Sequence, residues 1–169
     1  MIASKSGLIF TCAHTFDHLG EIVVIYRFQK PAGMGRVIKL DADLDIAVIR
    51  MSRKAAKTAT VAPIANTEES LYDTTFLAVG HPSGFDSNRS APIRIGFGYT
   101  DKASKKVFST CSITKGDSGG GLFNVKGELL AVHRTMDGNG NFSSHTSVSH
   151  FLKVWPELKQ ELVATSSKS

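Results

Sequence analysis

Lys115-Gly116-Asp117-Ser118-Gly119-Gly120-Gly121-Leu122-Phe123-Asn124 runs from a glycine-rich turn straight into an apolar strand, with a single serine inside the turn. A serine hydroxyl that attacks a carbonyl carbon must stand exposed on a tight loop. Backbone N–H groups must point at the same place, to hold the charge that develops on the carbonyl oxygen. Glycines on both sides of Ser118 permit both, because they take unusual backbone angles and let another chain come close. A polar Gly-rich turn is also a common structural device, so the stretch gains meaning only from partners elsewhere. It is a poor phosphate loop, since the Gly-Lys-Ser/Thr order of that motif is absent.

Two further stretches supply such partners. Leu8-Ile9-Phe10-Thr11-Cys12-Ala13-His14 is an apolar strand ending in a histidine among small residues. Of the 6 histidines, only His14 stands at such a strand end. Asp41-Ala42-Asp43-Leu44-Asp45 leads into the apolar strand Ile46-Ala47-Val48-Ile49. A carboxylate at the head of a buried strand can fix an imidazole tautomer and stabilise the imidazolium. Asp41, Asp43 and Asp45 share parity, and periodicity alone does not choose among them. An acidic turn before a strand is the ordinary alternative. Taken together, the chain order is His, Asp, Ser, which separates one architecture of serine hydrolase from those with other orders.

The rest of the chain reads as all-β: short β-branched or aromatic runs between turn residues. Strands are predicted at Leu8–Cys12, Glu21–Phe28, Arg36–Leu40, Ile46–Met51, Thr75–Val79 and Ile93–Tyr99. Further strands are predicted at Val107–Thr110, Gly121–Asn124, Glu128–Arg134 and Ser144–Val148. Turns are expected at Pro31-Ala32-Gly33, at Gly80 to Gly84, at Val125-Lys126-Gly127 and at Asp137-Gly138-Asn139-Gly140. Ser52–Glu69 is Ala/Thr/Lys-rich and reads as an irregular connector. Phe151, Trp155, Leu158 and Leu162 fall on one face of a C-terminal helix that Pro156 kinks or restarts. Residues Ala164–Ser169 read as a frayed tail.

The bulk composition excludes several classes. Twenty basic against fifteen acidic residues give +5, with the basic residues scattered and no RNA motif, so no nucleic-acid partner is expected. Two cysteines, Cys12 and Cys111, form no disulfide framework or metal cluster and read as small buried hydrophobes. No cofactor and no metal are expected. No apolar run is long enough to span a membrane, and the start Met1-Ile2-Ala3-Ser4-Lys5-Ser6-Gly7 lacks a secretory pattern.

Thr-Cys-Ala-His, Asp-Ile-Ala-Val and Gly-Asp-Ser-Gly-Gly resemble the three signatures of the chymotrypsin/trypsin-like serine peptidases. The texture is similar to that of bacterial trypsin-like and HtrA-type peptidases, over roughly residues 5 to 160. The resemblance implies two packed six-stranded β-barrels with a C-terminal helix and the site in the cleft between barrels. It divides residues 1–169 into a first half-barrel (1–54), a connector (55–70), a second barrel (71–148) and a helix (149–163). It implies a serine endopeptidase acting on protein or peptide substrates through His14 as base, Asp45 as its partner and Ser118 as nucleophile. Asp45 is chosen because it precedes Ile-Ala-Val. The backbone N–H groups of Gly116 and Ser118 would form the oxyanion hole.

The resemblance also places Ser112, Ile113 and His133 around the substrate pocket. With no acid at Ser112, a preference for Lys or Arg is not expected, and His133 raises the rival reading of an acidic preference. The pattern implies strands ahead of the histidine segment, so the first barrel is expected to be incomplete. It favours an extracytoplasmic location, periplasmic or secreted. Arg134 stands where many relatives carry a small polar residue, and is expected to pair with Asp45 or intrude on the substrate strand. In zymogen-activated relatives the residue at Asp117 pairs with a freshly cut N-terminus; with no Ile-Val-Gly-Gly start in this sequence, activation by cleavage is not expected. The rival to an enzyme is a non-catalytic protease-like barrel that binds peptides or a protein partner.

Overall fold

A computed structural model describes residues 4–27, 29–57, 59–66, 71–104, 106–136 and 140–163. The first four strands are β1 (Leu8–Thr11), β2 (Ile22–Arg27), β3 (Lys30–Asp41) and β4 (Ile46–Met51). They form one antiparallel sheet in the order β1-β4-β3-β2, with β1 and β2 at its edges. The next six are β5 (Thr74–Val79), β6 (Ile93–Asp101), β7 (Lys106–Ser109), β8 (Gly121–Phe123), β9 (Leu129–Met136) and β10 (Ser143–Ser147). They close into a barrel in the order β10-β7-β6-β5-β8-β9. The all-β reading thus holds: an open four-stranded sheet precedes a closed six-stranded barrel.

Two local expectations need correction. Pro31-Ala32-Gly33 is not a turn: β3 already begins at Lys30, and Gln29 makes the reversal at φ 60°. Pro31 is tolerated because this overhang of β3 pairs only with β2, while β4 joins from Gly35 onward. A missing N–H therefore costs nothing on the unpaired side. The connector, in turn, is not wholly irregular, because Arg53–Lys57 forms a short helix α1. Its residues are good helix formers, and the Ser52 carbonyl accepts from the Ala56 N–H at 3.0 Å. Residues 137–139 of the expected turn Asp137-Gly138-Asn139-Gly140, the tail 164–169 and connector residues 58 and 67–70 lie outside the described residues.

The C-terminal segment splits at Trp155-Pro156-Glu157 into α2 (Val148–Val154) and α3 (Leu158–Val163). Proline cannot donate within a continuous helix, and the chain restarts after it. The apolar face survives the break. Phe151 and Leu158 are buried in one core with Leu8, Phe10, Ile46 and Val48 of the sheet and Leu129 and Val132 of the barrel. Trp155 and Leu162 pack against the same core. This cluster joins the two halves of the molecule. Arg50 adds a bidentate bond to Glu161, at 2.7 and 2.8 Å.

Candidate active site

His14 sits in a single 3-10 turn, Ala13–Thr15, at the exit of β1. The antiparallel register ends with Thr11 opposite Ala47. Continued two residues further, it brings position 45 opposite position 13, which sets the Asp45 side chain beside the imidazole. Parity could not distinguish the three aspartates; register does. Asp41 belongs to β3 and caps its own turn through the Leu44 N–H at 2.9 Å, and Asp43 is exposed. Asp45 takes a left-handed φ of 55°, which aspartate accepts more readily than most residues.

The Asp45 carboxylate accepts from His14 twice over. Oδ1 lies 3.0 Å from the His14 backbone N–H, and both oxygens lie 3.0 Å from Nδ1. On the other side of the ring, Nε2 lies 3.0 Å from the Ser118 hydroxyl. With Nδ1 donating to the carboxylate, Nε2 carries the lone pair that can accept the hydroxyl proton. The imidazole is half exposed and the carboxylate 11% exposed, so the row runs from solvent into the protein.

Ser118 arrives on the β7–β8 loop, which two close approaches fix. Gly119, at φ +81°, lies so near Thr11 Oγ1 of β1 that a Cβ could not fit. Its N–H donates to the His133 carbonyl at 3.1 Å. Gly116, at φ +98°, is equally tight against the Gly84 backbone. The Gly116 and Ser118 N–H groups donate to no acceptor among the described residues, whereas Asp117, Gly119 and Gly120 all do.

Beneath the loop, Asp117 is buried and bonded to Arg94 of β6, through Nη1 at 2.6 Å and Nη2 at 2.8 Å. The Thr114 N–H adds a third bond at 2.8 Å, and Arg94 Nη1 also reaches the Ser112 carbonyl at 3.0 Å. Burial alone would push the Asp117 carboxyl up; the Arg94 and Thr114 bonds outweigh it and hold the group below its ordinary range. Arg94 was not foreseen as a site residue. It holds the loop from inside, in a place where the sequence offered Asp117 no partner.

A cleft of about 570 Å³ opens at Ser118, lined by Ile113, Thr114 and Lys115 of the loop that carries it and by Arg134, Thr135 and Met136 of β9. Ile113 lines it. Ser112 is exposed beside it, turned to Arg94 through its carbonyl. His133 is fully buried behind it. The His133 and His145 Nδ1 atoms are 2.9 Å apart, and His145 Nε2 is 2.8 Å from Ser109 Oγ. Burial is the main force that pushes His133 down to about 4. The same burial pushes His145 well below its ordinary range. Arg134 Nε bonds Asp45 Oδ2 at 3.3 Å, the first of the two expectations for this residue.

Cys12, His14 and Asp45 offer donor atoms within 4.8 Å of one another, the one such cluster among the described residues. Burial, and after it the Asp45 charge, pushes the Cys12 thiol up to about 11, which disfavours the thiolate a metal needs. His14 and Asp45 already spend their ring nitrogens and oxygens on each other and on Ser118 and Arg134. The cluster fits a proton-handling row better than a metal centre.

A closed barrel, an adjoining sheet and a Ser–His–Asp row between them define a chymotrypsin-like fold. The profile of the family described as "Trypsin-like peptidase domain" matches residues 1–132, and the chain belongs to that family. It is 29% identical over 136 residues to a "Probable periplasmic serine endoprotease DegP-like" of Pseudomonas savastanoi, covering 78% of this chain and 27% of that protein. The chain spans about a third or less of the length of these curated relatives. Among solved structures, the serine endoprotease from Yersinia pestis superposes with a TM-score of 0.76 at 21% identity, over 95% of this chain and 57% of that one. An HtrA-type protease, AlgW with tripeptide, gives 0.74 at 18%, over 94% and 54%. No helix among the described residues is long and apolar enough to cross a membrane.

Proposed function

We propose that this chain is a serine endopeptidase working through His14, Asp45 and Ser118. The observation that carries the reading is the unbroken hydrogen-bonded row from Ser118 Oγ through both nitrogens of His14 to Asp45. Ser118 Oγ attacks the scissile carbonyl carbon while His14 Nε2 takes its proton. The carbonyl electron pair moves onto oxygen, and the N–H groups of Gly116 and Ser118 donate to that oxyanion. Asp45 stabilises the imidazolium without taking its proton. Collapse expels the amine, which receives the proton from Nε2 and leaves an acyl-enzyme. Water then repeats the sequence on the ester and frees Ser118.

The substrate is a protein or peptide in extended form. β8 begins opposite Val132 and the Gly119–Gly120 backbone bonds His133, so beyond His133 β9 pairs with β10 through Thr135 and Met136 while Arg134, Thr135 and Met136 line the cleft. A bare strand edge of this kind can take an extended peptide as an added strand. We extend to this chain the extracytoplasmic location that the periplasmic relative suggests.

A fluorophosphonate probe tests the reading. Labelling of the folded protein that vanishes in Ser118→Ala is expected; a folded protein that stays unlabelled refutes it. The second reading, a non-catalytic peptide-binding barrel, draws on Arg134, which competes with His14 for Asp45 Oδ2. It predicts no labelling together with retained peptide binding.

A further inference from the structure

The cleft beside Ser118 has an uneven charge. Lys115 and Arg134 both line it, and the one acid in its lining is Asp45. That acid is spent internally: its oxygens receive the His14 backbone N–H, His14 Nδ1 and Arg134 Nε. Arg134 uses only Nε in this contact. Its two terminal nitrogens and the Lys115 ammonium have no acceptor among the described residues. With the Arg134 and Asp45 charges offsetting each other, Lys115 leaves the cleft net positive.

Position sharpens the point. The Arg134 side chain is only 28% exposed, so its field is less screened than that of a surface arginine. It is held in place by Asp45, which removes much of the rotamer entropy a free arginine would lose on binding. Ile113 and Met136 also line the cleft and can cover an aliphatic stem. A planar guanidinium edge, a mobile ammonium and an apolar wall suit a carboxylate on a short stem. The same cations repel lysine and arginine.

We propose that this cleft binds an acidic substrate side chain, Asp or Glu at or next to the scissile carbonyl, between Arg134 and Lys115. The inference rests on the endopeptidase reading and names its substrate class. The buried His133 is not required: its ring faces His145 and the Gly120 backbone rather than the cleft.

The test uses the whole chain and two peptide series. One varies the residue that carries the scissile carbonyl, the other the residue before it, each through Glu, Gln, Leu and Lys. Glu against Gln isolates charge at constant shape. The expected kcat/KM favours Glu over Gln by about 10-fold in one series, within the range of hydrogen bonds to charged groups, and the ratio shrinks as salt is added. Lys115→Gln, at an exposed position, lowers the ratio, and Arg134→Gln lowers it further. Equal cleavage of Glu and Gln peptides overturns the proposal. So does a Glu preference that persists undiminished in both variants. Fluorophosphonate labelling of Ser118 separates the two levels. A protein that labels but cleaves no acidic peptide sinks the specificity and leaves the endopeptidase reading standing. A folded protein that does not label sinks both.

Discussion

Asp45 shows how far a single residue can be read in advance. Its stretch reads as acidic residues ahead of an apolar strand, but three aspartates share that description. What separates them is the β1–β4 register, a long-range pairing that no local pattern encodes. The geometry makes a sharp demand on Asp45. It must accept at Nδ1 so that Nε2 faces Ser118 without a proton. Asp45→Asn keeps the size and can present an N–H to Nδ1, which favours the wrong tautomer. The expected result is a fall in kcat of about 10⁴-fold, the factor typical of a triad carboxylate, with the melting temperature little changed. Steady-state kinetics on a peptide ester or amide checks it, and activity within tenfold of the parent would remove Asp45 from the row.

At the scale of elements, β6 is the strand whose burial runs against its hydrophobicity. Ile93, Ile95 and Phe97 look like an inward face, yet they are 65%, 69% and 54% exposed. The inward parity belongs to Arg94, Gly96 and Gly98. The reason is space and charge: a Cβ at Gly96 would strike Cys111, one at Gly98 would strike the Phe108 carbonyl, and Arg94 is drawn in by Asp117. The glycines and the lone cation at one parity were the available signal, and they are weaker than three large hydrophobes at the other. Because Asp117 is buried on the far side of the Ser118 loop, Arg94→Met leaves an uncompensated carboxylate there. A loss of about 3–5 kcal/mol is expected in urea unfolding. Arg94→Lys should recover part of the stability but not the paired Nη1/Nη2 geometry. Stability unchanged in Arg94→Met would show that the loop is held by its backbone contacts alone.

The β9–β10 pair carries a second consequence, this one for pH. His133 and His145 were both visible as histidines, but only the barrel's closure puts their Nδ1 atoms together. Burial pushes both rings down, His133 to about 4. The folded protein therefore keeps them neutral while the unfolded chain takes up protons below about 6.5. Their contribution is fully present above that value and declines as pH falls toward about 4. Between pH 7.5 and 5.5, the expected loss from His133 is about 1.4 kcal/mol, with His145 acting in the same direction. Denaturant unfolding at the two pH values measures it. Ring-proton NMR gives the complementary test, since buried imidazoles that titrate with midpoints near 6.5 would contradict the assignment.

For the whole molecule, the decisive fact is that the row is built from two halves. His14 and Asp45 come from the open sheet, and Ser118 comes from the closed barrel. The chain order of the three motifs and the C-terminal apolar face were legible in the sequence. That the face seals the halves together was not, because its partners Leu8, Phe10, Leu129 and Val132 lie far away in the chain. Phe151 is fully buried there and stacks on Phe10 at 4.9 Å. Phe151→Ala should cost about 3–5 kcal/mol. The Arg50–Glu161 bond on the same segment is partly exposed on both sides, and Glu161→Gln should cost about 1 kcal/mol or less. Apolar packing, not the ion pair, then holds α2 and α3 in place. In Phe151→Ala the fluorophosphonate labelling rate should also fall at temperatures where the protein remains folded, because the two halves no longer share a rigid core. If labelling stays at the parent rate, the Ser118–His14 distance is set locally, by the seating of Gly119 on Thr11, and the C-terminal helices serve stability alone.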